Sequence, residues 1–498
     1  MSSVFPSSLL QSDRPHSGAV RPAPVVPANR LISQPAVISA VLLYDFLAIV
    51  GAGVVTYDAW HSGEKNDLRF LAFTSLGVWL GALSLLGARW AYTIRALSSA
   101  PRQAVDLAFA LLLSMAGLVV CSALLDFYTP TERNWLSYWF LTAWSACLLA
   151  RFAVAGALAH WAGEGRLARR AVIVGGGELT NELIHRLDAT ASAAIQILGM
   201  FDDRDNARSP ENVGPYFKLG RFDDLVSFCR EHRVDLLIIA LPGAAEDRIL
   251  HVLKKLWVLP IDVRIAALGS KLKLRSRVYN YIGDVPFLPV FDKPMSDWNV
   301  ALKSIEDRLL AGLGVIVLSP LLALIALAVK LDSRGPVLFK QIRHGFNNEK
   351  IEVYKFRSMY VDRLDAHGAR QVTKDDTRVT RVGRIIRKLS LDELPQLFNV
   401  AFKGDLSLVG PRPHALQSTA GNRLYDEVVE GYFARHRVKP GITGWAQVNG
   451  WRGETDTADK LEQRVAHDLY YIENWSMALD LRILLMTPLA LITAKNAY

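Results

Sequence analysis

Four apolar runs, at roughly residues 36–57, 70–88, 104–126 and 135–160, constrain this chain more than any other feature. Each comes close to the about 20 apolar residues a helix needs to cross a bilayer, where a segment must satisfy its own backbone hydrogen bonds. The runs predict four transmembrane helices over residues 35–162. The chain is 51% hydrophobic yet 21% charged, a balance that attaches ordinary soluble domains to the membrane part. At 498 residues more than one such domain is expected.

Basic residues orient the bundle. Arg14, Arg21 and Arg30 precede it, Arg89, Arg95 and Arg102 lie between runs two and three, and Arg166, Arg169 and Arg170 follow run four. The other loops carry less basic excess, so the positive-inside rule puts both ends of the bundle in the cytoplasm. Residues 1–34, rich in Ser, Pro and Arg and without an apolar core, read as a disordered cytoplasmic tail. Arg151 interrupts the fourth run and is expected to snorkel towards the cytoplasmic face. The net charge of +9 suits an anionic membrane face or phosphorylated substrates. Three cysteines without a CxxC pair indicate neither a disulfide framework nor a zinc site.

From Arg169 the pattern changes to strand, glycine turn and amphipathic helix, RRAVIVGGGELTNELIHRL, followed by ILGMFDD, VDLLIIALP and IDVRIA. This predicts a Rossmann-like α/β domain over 168–270. Gly175 and Gly177 fit the first glycines of a dinucleotide fingerprint, and Asp202 or Asp203 could meet a ribose hydroxyl. Thr180, however, stands where the third small residue belongs. Glycines that only make a tight strand-to-helix turn are the favoured reading. Residues 271–300 read as a linker.

The apolar run Leu309–Val329 would be a fifth span, but Arg308 and Lys330 give both flanks the same sign and Ser319-Pro320 interrupts its middle. A re-entrant helix over 305–331 that enters the cytoplasmic leaflet, kinks at Ser319-Pro320 and returns satisfies these features. It keeps the C-terminal region, a mixed α/β domain over 301–498, in the cytoplasm.

In that region Arg384, Arg387 and Lys388 stand beside Asp392-Glu393. Two carboxylates among cations suggest an anionic substrate held by the cations, with a carboxylate or a metal ion acting on it. Arg378, Arg381, Arg384 and Arg387 recur every three residues and so gather near one helix face. That face is either solvated or a surface for phosphates and lipid headgroups. Ser390-Leu391-Asp392-Glu393 also has a structural reading, Ser390 as an N-cap and Glu393 as its capping-box partner. The two roles can coexist, since a helix N-terminus favours anions. Adjacent helical positions point in different directions, so one acid could attack phosphorus while the other held a metal. Arg387 and Arg412 are suited to phosphate oxygens, which guanidinium matches bidentately. The apolar end, LDLRILLMTPLALITA, is expected to lie in the membrane interface.

At these residues the chain resembles the bacterial sugar transferases, or polyprenyl-phosphate hexose-1-phosphate transferases. The resemblance rests on Pro336-Val337-Leu338-Phe339, on Lys355-Phe356-Arg357-Ser358-Met359, and on Ser390-Leu391-Asp392-Glu393-Leu394-Pro395-Gln396. It continues in Leu408-Val409-Gly410-Pro411-Arg412-Pro413 and Lys439-Pro440-Gly441-Ile442-Thr443-Gly444-Trp445. The segment QVNGWRGET, from Gln447, most resembles the undecaprenyl-phosphate glucose phosphotransferase branch. The resemblance implies transfer of a sugar-1-phosphate, glucose by branch, from UDP-sugar to undecaprenyl phosphate. UMP would be released and an exopolysaccharide or O-antigen repeat unit begun. It implies Asp392 as the nucleophile of a phosphosugar-enzyme intermediate, Glu393 as a magnesium ligand, and Lys355, Arg357, Arg387 and Arg412 as phosphate contacts. It further implies the re-entrant helix, a bacterial inner membrane with its lipids, and room for a homodimer; nucleic acid is not expected.

Two rival readings remain. One is a membrane-tethered NAD-dependent sugar dehydrogenase or epimerase built on the Rossmann-like unit, which lacks the third glycine and a Tyr-xxx-Lys pair after its strands. The other is a non-enzymatic scaffold or regulator of polysaccharide assembly, with the acid pair as a mere cap.

Overall fold

The computed structural model describes residues 32–60, 68–124, 130–190, 195–204, 212–232, 234–242, 246–268, 280–282, 284–361, 376–414, 419–420, 423–429, 432–451, 453 and 457–493. It divides into two compact units, Pro24–Ala168 with Ser296–Leu302, and Arg169–Met295 with Lys303–Tyr498. The 1–34 tail lies almost wholly outside the described residues.

In the first unit the apolar runs form α1 (Gln34–Trp60), α2 (Leu68–Ala88), α4 (Ala100–Leu124) and α5 (Pro130–Gly163), with a short α3 (Ile94–Leu97) after α2. Helices α1, α4 and α5 are long and apolar enough to cross a membrane, and α2 offers a shorter apolar stretch, Thr74–Ala88. α1 packs on α2 and α5, and α4 on α2 and α5. Small residues allow the close approach that helices need in lipid, where hydrophobic drive is absent. A Cβ on Gly53 would meet Ser75 Oγ at 2.8 Å, and one on Gly81 would meet Ser114 Oγ at 2.9 Å. Leu47, Leu112, Leu149 and Phe152 face outward.

Arg151 does not snorkel. Its side chain is fully buried, with Nη2 2.6 Å from Asp45 Oδ2 and Nε donating to Gln103 Oε1 at 3.0 Å. Tyr92 donates its hydroxyl to the same Asp45 oxygen at 2.8 Å, and Trp298 stacks on Tyr92. The partner, Asp45, lies inside the first apolar run, 106 residues away. Pairing inside the bundle replaces the route to the interface, because an unpaired charge there would be costly.

In the second unit, β1 (Arg169–Val174), α6 (Glu178–Thr190), β2 (Ile195–Phe201), β3 (Asn212–Val213), β4 (Tyr216–Gly220), α7 (Leu225–Glu231), β5 (Leu236–Ile239), α8 (Glu246–Leu256), β6 (Asp262–Ala266), β7 (Asn280–Ile282) and β8 (Val285–Phe291) build the α/β part. The eight-stranded sheet runs β3-β4-β2-β1-β5-β6-β8-β7. Strands β4, β2, β1, β5 and β6 are parallel, and the apolar side chains of β2, β1, β5 and β6 are buried on both faces, as crossover helices require. Strands β7 and β8 extend the sheet antiparallel, inside the segment expected to be a linker. Pro286 and Pro289 obscure the strand pattern there.

The glycine turn after β1 is closed by the chain itself. Gly175 has φ +115, and a Cβ on it would lie 2.7 Å from Ala240 O. Thr180 donates its hydroxyl to Gly175 O at 2.8 Å. Asp202 accepts from Gly176 N at 3.0 Å and pairs with Arg204 at 2.8 Å, while Asp203 accepts from Phe222 N. Both acids with a suggested ribose role thus hold the turn and its neighbours.

The C-terminal region begins on α9 (Asp297–Asp332), a helix longer than the expected 305–331 that carries Pro320 inside it. Pro320 has no N–H for the carbonyl four residues back. Ser319 Oγ donates to that carbonyl, Ile316 O, at 2.7 Å, which lets the helix pass through the proline. Beyond its first turns, α9 is tied to the C-terminal body at two points. Asp307 Oδ1 accepts from Leu408 N at 3.0 Å, and Asp332 Oδ2 accepts from Val382 N at 3.0 Å. Between them Ala311 packs with Val400 and Val409, and Leu322, Ile325 and Val329 pack with Phe356 and Ile386.

A hairpin of β9 (Leu338–His344) and β10 (Lys350–Phe356) follows, then α10 (Arg381–Lys388), a 3₁₀ turn Leu391–Glu393 and α11 (Gln396–Phe398), which runs into a π turn Asn399–Lys403. The chain continues through β11 (Ser407–Val409), β12 (Thr419–Ala420), β13 (Arg423–Leu424), α12 (Tyr425–Val428), β14 (Gly441–Thr443), α13 (Trp445–Val448), α14 (Ala458–Glu473) and α15 (Met477–Thr493).

The buried pair makes a prediction for the bundle. Asp45→Leu or Arg151→Leu alone should cost about 3–5 kcal/mol, the double change far less, because only the single changes strand a charge. Thermal unfolding in detergent should rank the melting temperatures wild type, double variant, then either single variant. A double variant as unstable as the singles would contradict the pairing.

Candidate active site

Glu393 sits where three elements meet. It closes the Leu391–Glu393 turn, Lys355 comes from the end of β10, and Arg412 comes from the loop after β11. Lys355 Nζ lies 2.9 Å from Glu393 Oε1. Arg412 spans the carboxylate, with Nη2 2.6 Å from Oε1 and Nη1 3.2 Å from Oε2. Only 14% of the Glu393 side chain is exposed. Burial works against its ionisation, but Arg412 and then Lys355 outweigh this and hold the carboxyl well below its usual range.

Asp392 is the opposite case. Burial raises its carboxyl above the ordinary value, with Glu393 adding to the rise; Lys355 pulls it down, followed by Arg387 and Arg412. Of two adjacent acids, one is therefore anchored and ionised, and the other is less compensated and faces the cations. Burial lowers Lys355 from its ordinary value, opposed by Glu393.

The capping box does not form. Ser390 adopts the left-handed conformation (φ 57, ψ 21) and makes no side-chain cap, and the Glu393 carboxylate turns to Lys355 and Arg412 instead. A non-glycine residue in this region is strained, and the bend ends α10 and redirects the chain into the acid-bearing turn.

Arg357, grouped with the phosphate contacts by its motif, lies elsewhere. It is almost fully buried and donates to Ser333 O at 2.7 Å and Ser333 Oγ at 3.0 Å, closing the C-terminal end of α9. The arginine series splits as well. Arg378 precedes α10 and grips Asp376, whereas Arg381 and Arg384 are exposed on the helix.

Arg412 is positioned by two motifs that cross. β11 and β14 pair in parallel, Gly410 N donates to Thr443 O and Gly441 N to Pro411 O, each at 2.9 Å. A Cβ on Gly441 would lie 2.0 Å from Gly410 N, so the close backbone contact excludes any side chain. Behind Arg412 lies a buried network that the sequence reading missed. Arg435 donates to Arg412 O at 2.8 Å and to Asp468 at 2.6 Å, and Nη1 lies 2.5 Å from His414 Nδ1. Burial, then Arg435 and Arg464, hold His414 well below the usual imidazole range, hence neutral. Arg343 donates to Pro413 O at 3.1 Å; burial, then Arg412, lower it to about 10. The visible signal was His414 directly after the Gly-Pro-Arg-Pro turn. Among the described residues, cations outnumber acids here, the arrangement expected of a polyanion site.

Comparison with known proteins agrees with the geometry. Residues 298–494 match the model of the bacterial sugar transferases, and residues 88–267 that of a CoA-binding domain. A UDP-glucose:undecaprenyl-phosphate glucose-1-phosphate transferase of Xanthomonas campestris pv. campestris is 37% identical over 74% of this chain and 75% of its own length. The chain belongs to the bacterial sugar transferase family. A Klebsiella pneumoniae protein of the same name is 37% identical over 72% of this transferase and 76% of its own length. An undecaprenyl-phosphate glucose phosphotransferase of Komagataeibacter xylinus is 43% identical over 67% of this chain, and the match spans 61% of that protein.

The opposing shifts give a pH prediction. Asp392 is ionised above its raised pKa, and activity that needs its carboxylate falls as pH drops through that value. Lys355→Gln removes the largest lowering influence, so the acidic limb of the pH–rate profile should move upward by about 1 unit or more. An unmoved limb would mean that Lys355 does not govern the ionisation of Asp392.

Proposed function

We propose that this transferase moves glucose-1-phosphate from UDP-glucose to undecaprenyl phosphate through a covalent phosphosugar on Asp392. The observation that carries the proposal is the division of labour between the two acids: Glu393 is neutralised by Lys355 and Arg412, while Asp392 faces Lys355, Arg387 and Arg412 with no such anchor. The names of the relatives supply the donor and the acceptor.

In the first half, an Asp392 oxygen attacks the phosphorus that bears the sugar. The bond from that phosphorus to the bridging oxygen breaks, and UMP leaves with the electron pair. In the second, an oxygen of undecaprenyl phosphate attacks the same phosphorus and the bond to Asp392 breaks, regenerating the carboxylate. A covalent step lets one site serve a soluble donor and a lipid acceptor in turn. Arg387 and Arg412 bind the phosphate oxygens, with Lys355 beside them.

Mg²⁺ is the expected cofactor. It typically uses one or two carboxylates together with substrate phosphates, which fits an adjacent Asp–Glu pair, and no cluster of three protein ligands occurs among the described residues. Glu393 would hold it once the donor's diphosphate draws Arg412 and Lys355 away. The ion supplies charge neutralisation for the transferring phosphoryl group.

The catalytic region lies on the cytoplasmic face of the bacterial inner membrane. Asp307 and Asp332 of α9 both bond to the C-terminal body, which supports a helix that enters and returns to one leaflet, bending about Ser319-Pro320. Ile385 is exposed between Arg384 and Arg387 on α10 and Leu389 just past its end, and Leu481, Leu485 and Leu489 are exposed on α15, an apolar and basic surface suited to anionic lipid.

The decisive test uses membranes given Mg²⁺, undecaprenyl phosphate and UDP-glucose carrying ³²P in the sugar phosphate. Asp392→Asn should abolish both labelled lipid and labelled protein; retained labelled lipid would sink the covalent route. For topology, a tag fused after Tyr498 should be protected in sealed right-side-out cells, and labelling it from outside would refute the re-entrant arrangement.

A further inference from the structure

We infer that a cavity of about 200 Å³ beside Glu393 receives the first isoprene unit of the acceptor lipid, next to its phosphate. The inference rests on the acceptor proposed above. Ser390, Glu393 and Leu394 border the cavity on the side of the acid-bearing turn, β14 and α13 form another wall, and α15 closes it through Thr487 and Ala490.

Three observations select a hydrocarbon. First, the wall is overwhelmingly apolar, made by Leu394, Leu397, Ile442, Val448 and Ala490. Second, of the three hydroxyls in the wall, the two on β14 and α15 are satisfied within the protein: Thr443 Oγ1 and Thr487 Oγ1 bond to each other at 2.8 Å, and Thr487 also donates to Ile483 O at 2.7 Å. A hexose, with a hydroxyl on most carbons, would lose its water here and find few partners. Third, the walls lead to lipid. α15, which lines the cavity, carries the exposed Leu485 and Leu489, and Leu397 in the opposite wall is backed by α9, where a Cβ on Gly314 would lie 3.6 Å from it.

Position and size agree. The first carbon of the lipid is bonded to the phosphate that must reach Asp392, so the first isoprene unit must lie within a few bonds of the acid pair. An apolar cavity of about 150 Å³ takes a benzene molecule, and 200 Å³ accommodates one five-carbon branched unit. One polar atom is left over: Gln447 Oε1 is buried with no partner among the described residues. It provides the discriminating test, because a sugar would use it and a hydrocarbon would not.

The experiment measures KM for undecaprenyl phosphate and for UDP-glucose in membranes, together with exchange of labelled UMP into UDP-glucose without lipid. Ala490→Phe fills the cavity and should raise KM for the lipid about tenfold or more, leaving KM for UDP-glucose and UMP exchange unchanged. Gln447→Leu should leave KM for UDP-glucose unchanged. The inference falls if Ala490→Phe leaves the lipid KM unmoved, or if Gln447→Leu raises KM for UDP-glucose, which would assign the cavity to the hexose. Should Ala490→Phe lose every readout by misfolding, the Gln447→Leu result alone decides. Wild-type enzyme without UMP exchange would instead overturn the covalent intermediate, and the two KM values would still decide the occupant of the cavity.

Discussion

Glu393 is held from two sides, and the catalytic region is arranged around that grip. Lys355 arrives from a hairpin, Arg412 from a turn fixed by two crossing glycine motifs, and Glu393 from a helical turn set up by a strained Ser390. None of these elements alone would hold a buried carboxylate ionised. Together they leave Glu393 compensated by Lys355 and Arg412, while burial raises the carboxyl of its neighbour Asp392. The second tier, Arg435 with Asp468 and neutral His414, secures the backbone of Arg412 and so acts on the site through positioning.

The same reasoning applies to α9. A proline deep in an apolar helix would leave a carbonyl without its donor, and in lipid that is expensive. The hydroxyl of Ser319 restores the missing bond. Asp307 and Asp332, on either side of the apolar stretch of α9, both bond to the catalytic body. The charged pair inside the bundle follows a different rule: Arg151 and Asp45 neutralise each other, and neither approaches the chemistry of the acid pair in sequence or in role.

Local features carried the sequence reading a long way. Run length and loop charge gave the bundle, strand–glycine–helix periodicity gave the Rossmann-like sheet, and the density of opposite charges around residue 392 gave the site. Where the reading missed, the deciding partner was remote. The strands at 280–291 were obscured by Pro286 and Pro289, which lack an N–H but can still accept, as Pro286 O does from Ala267 N. Arg357 shares a motif with Lys355, two positions away and so on the same face had the strand continued, but it lies just past the end of β10 and its side chain turns to the end of α9. The capping box at Ser390 was a sound local pattern that lost to two cations brought in by other elements.

The sequence alone determined which segments enter the membrane, which residues can act as nucleophile or cation, and the family to which the chain belongs, since these depend on composition and short-range order. Only the tertiary structure decided how charges were paired: Glu393 with Lys355 and Arg412, Arg151 with Asp45, Arg357 with the end of a helix. The reason is physical. The energy of a buried charge depends on distance to its partner and on the solvent excluded around both, and these quantities join residues as much as 106 positions apart that no local pattern can connect.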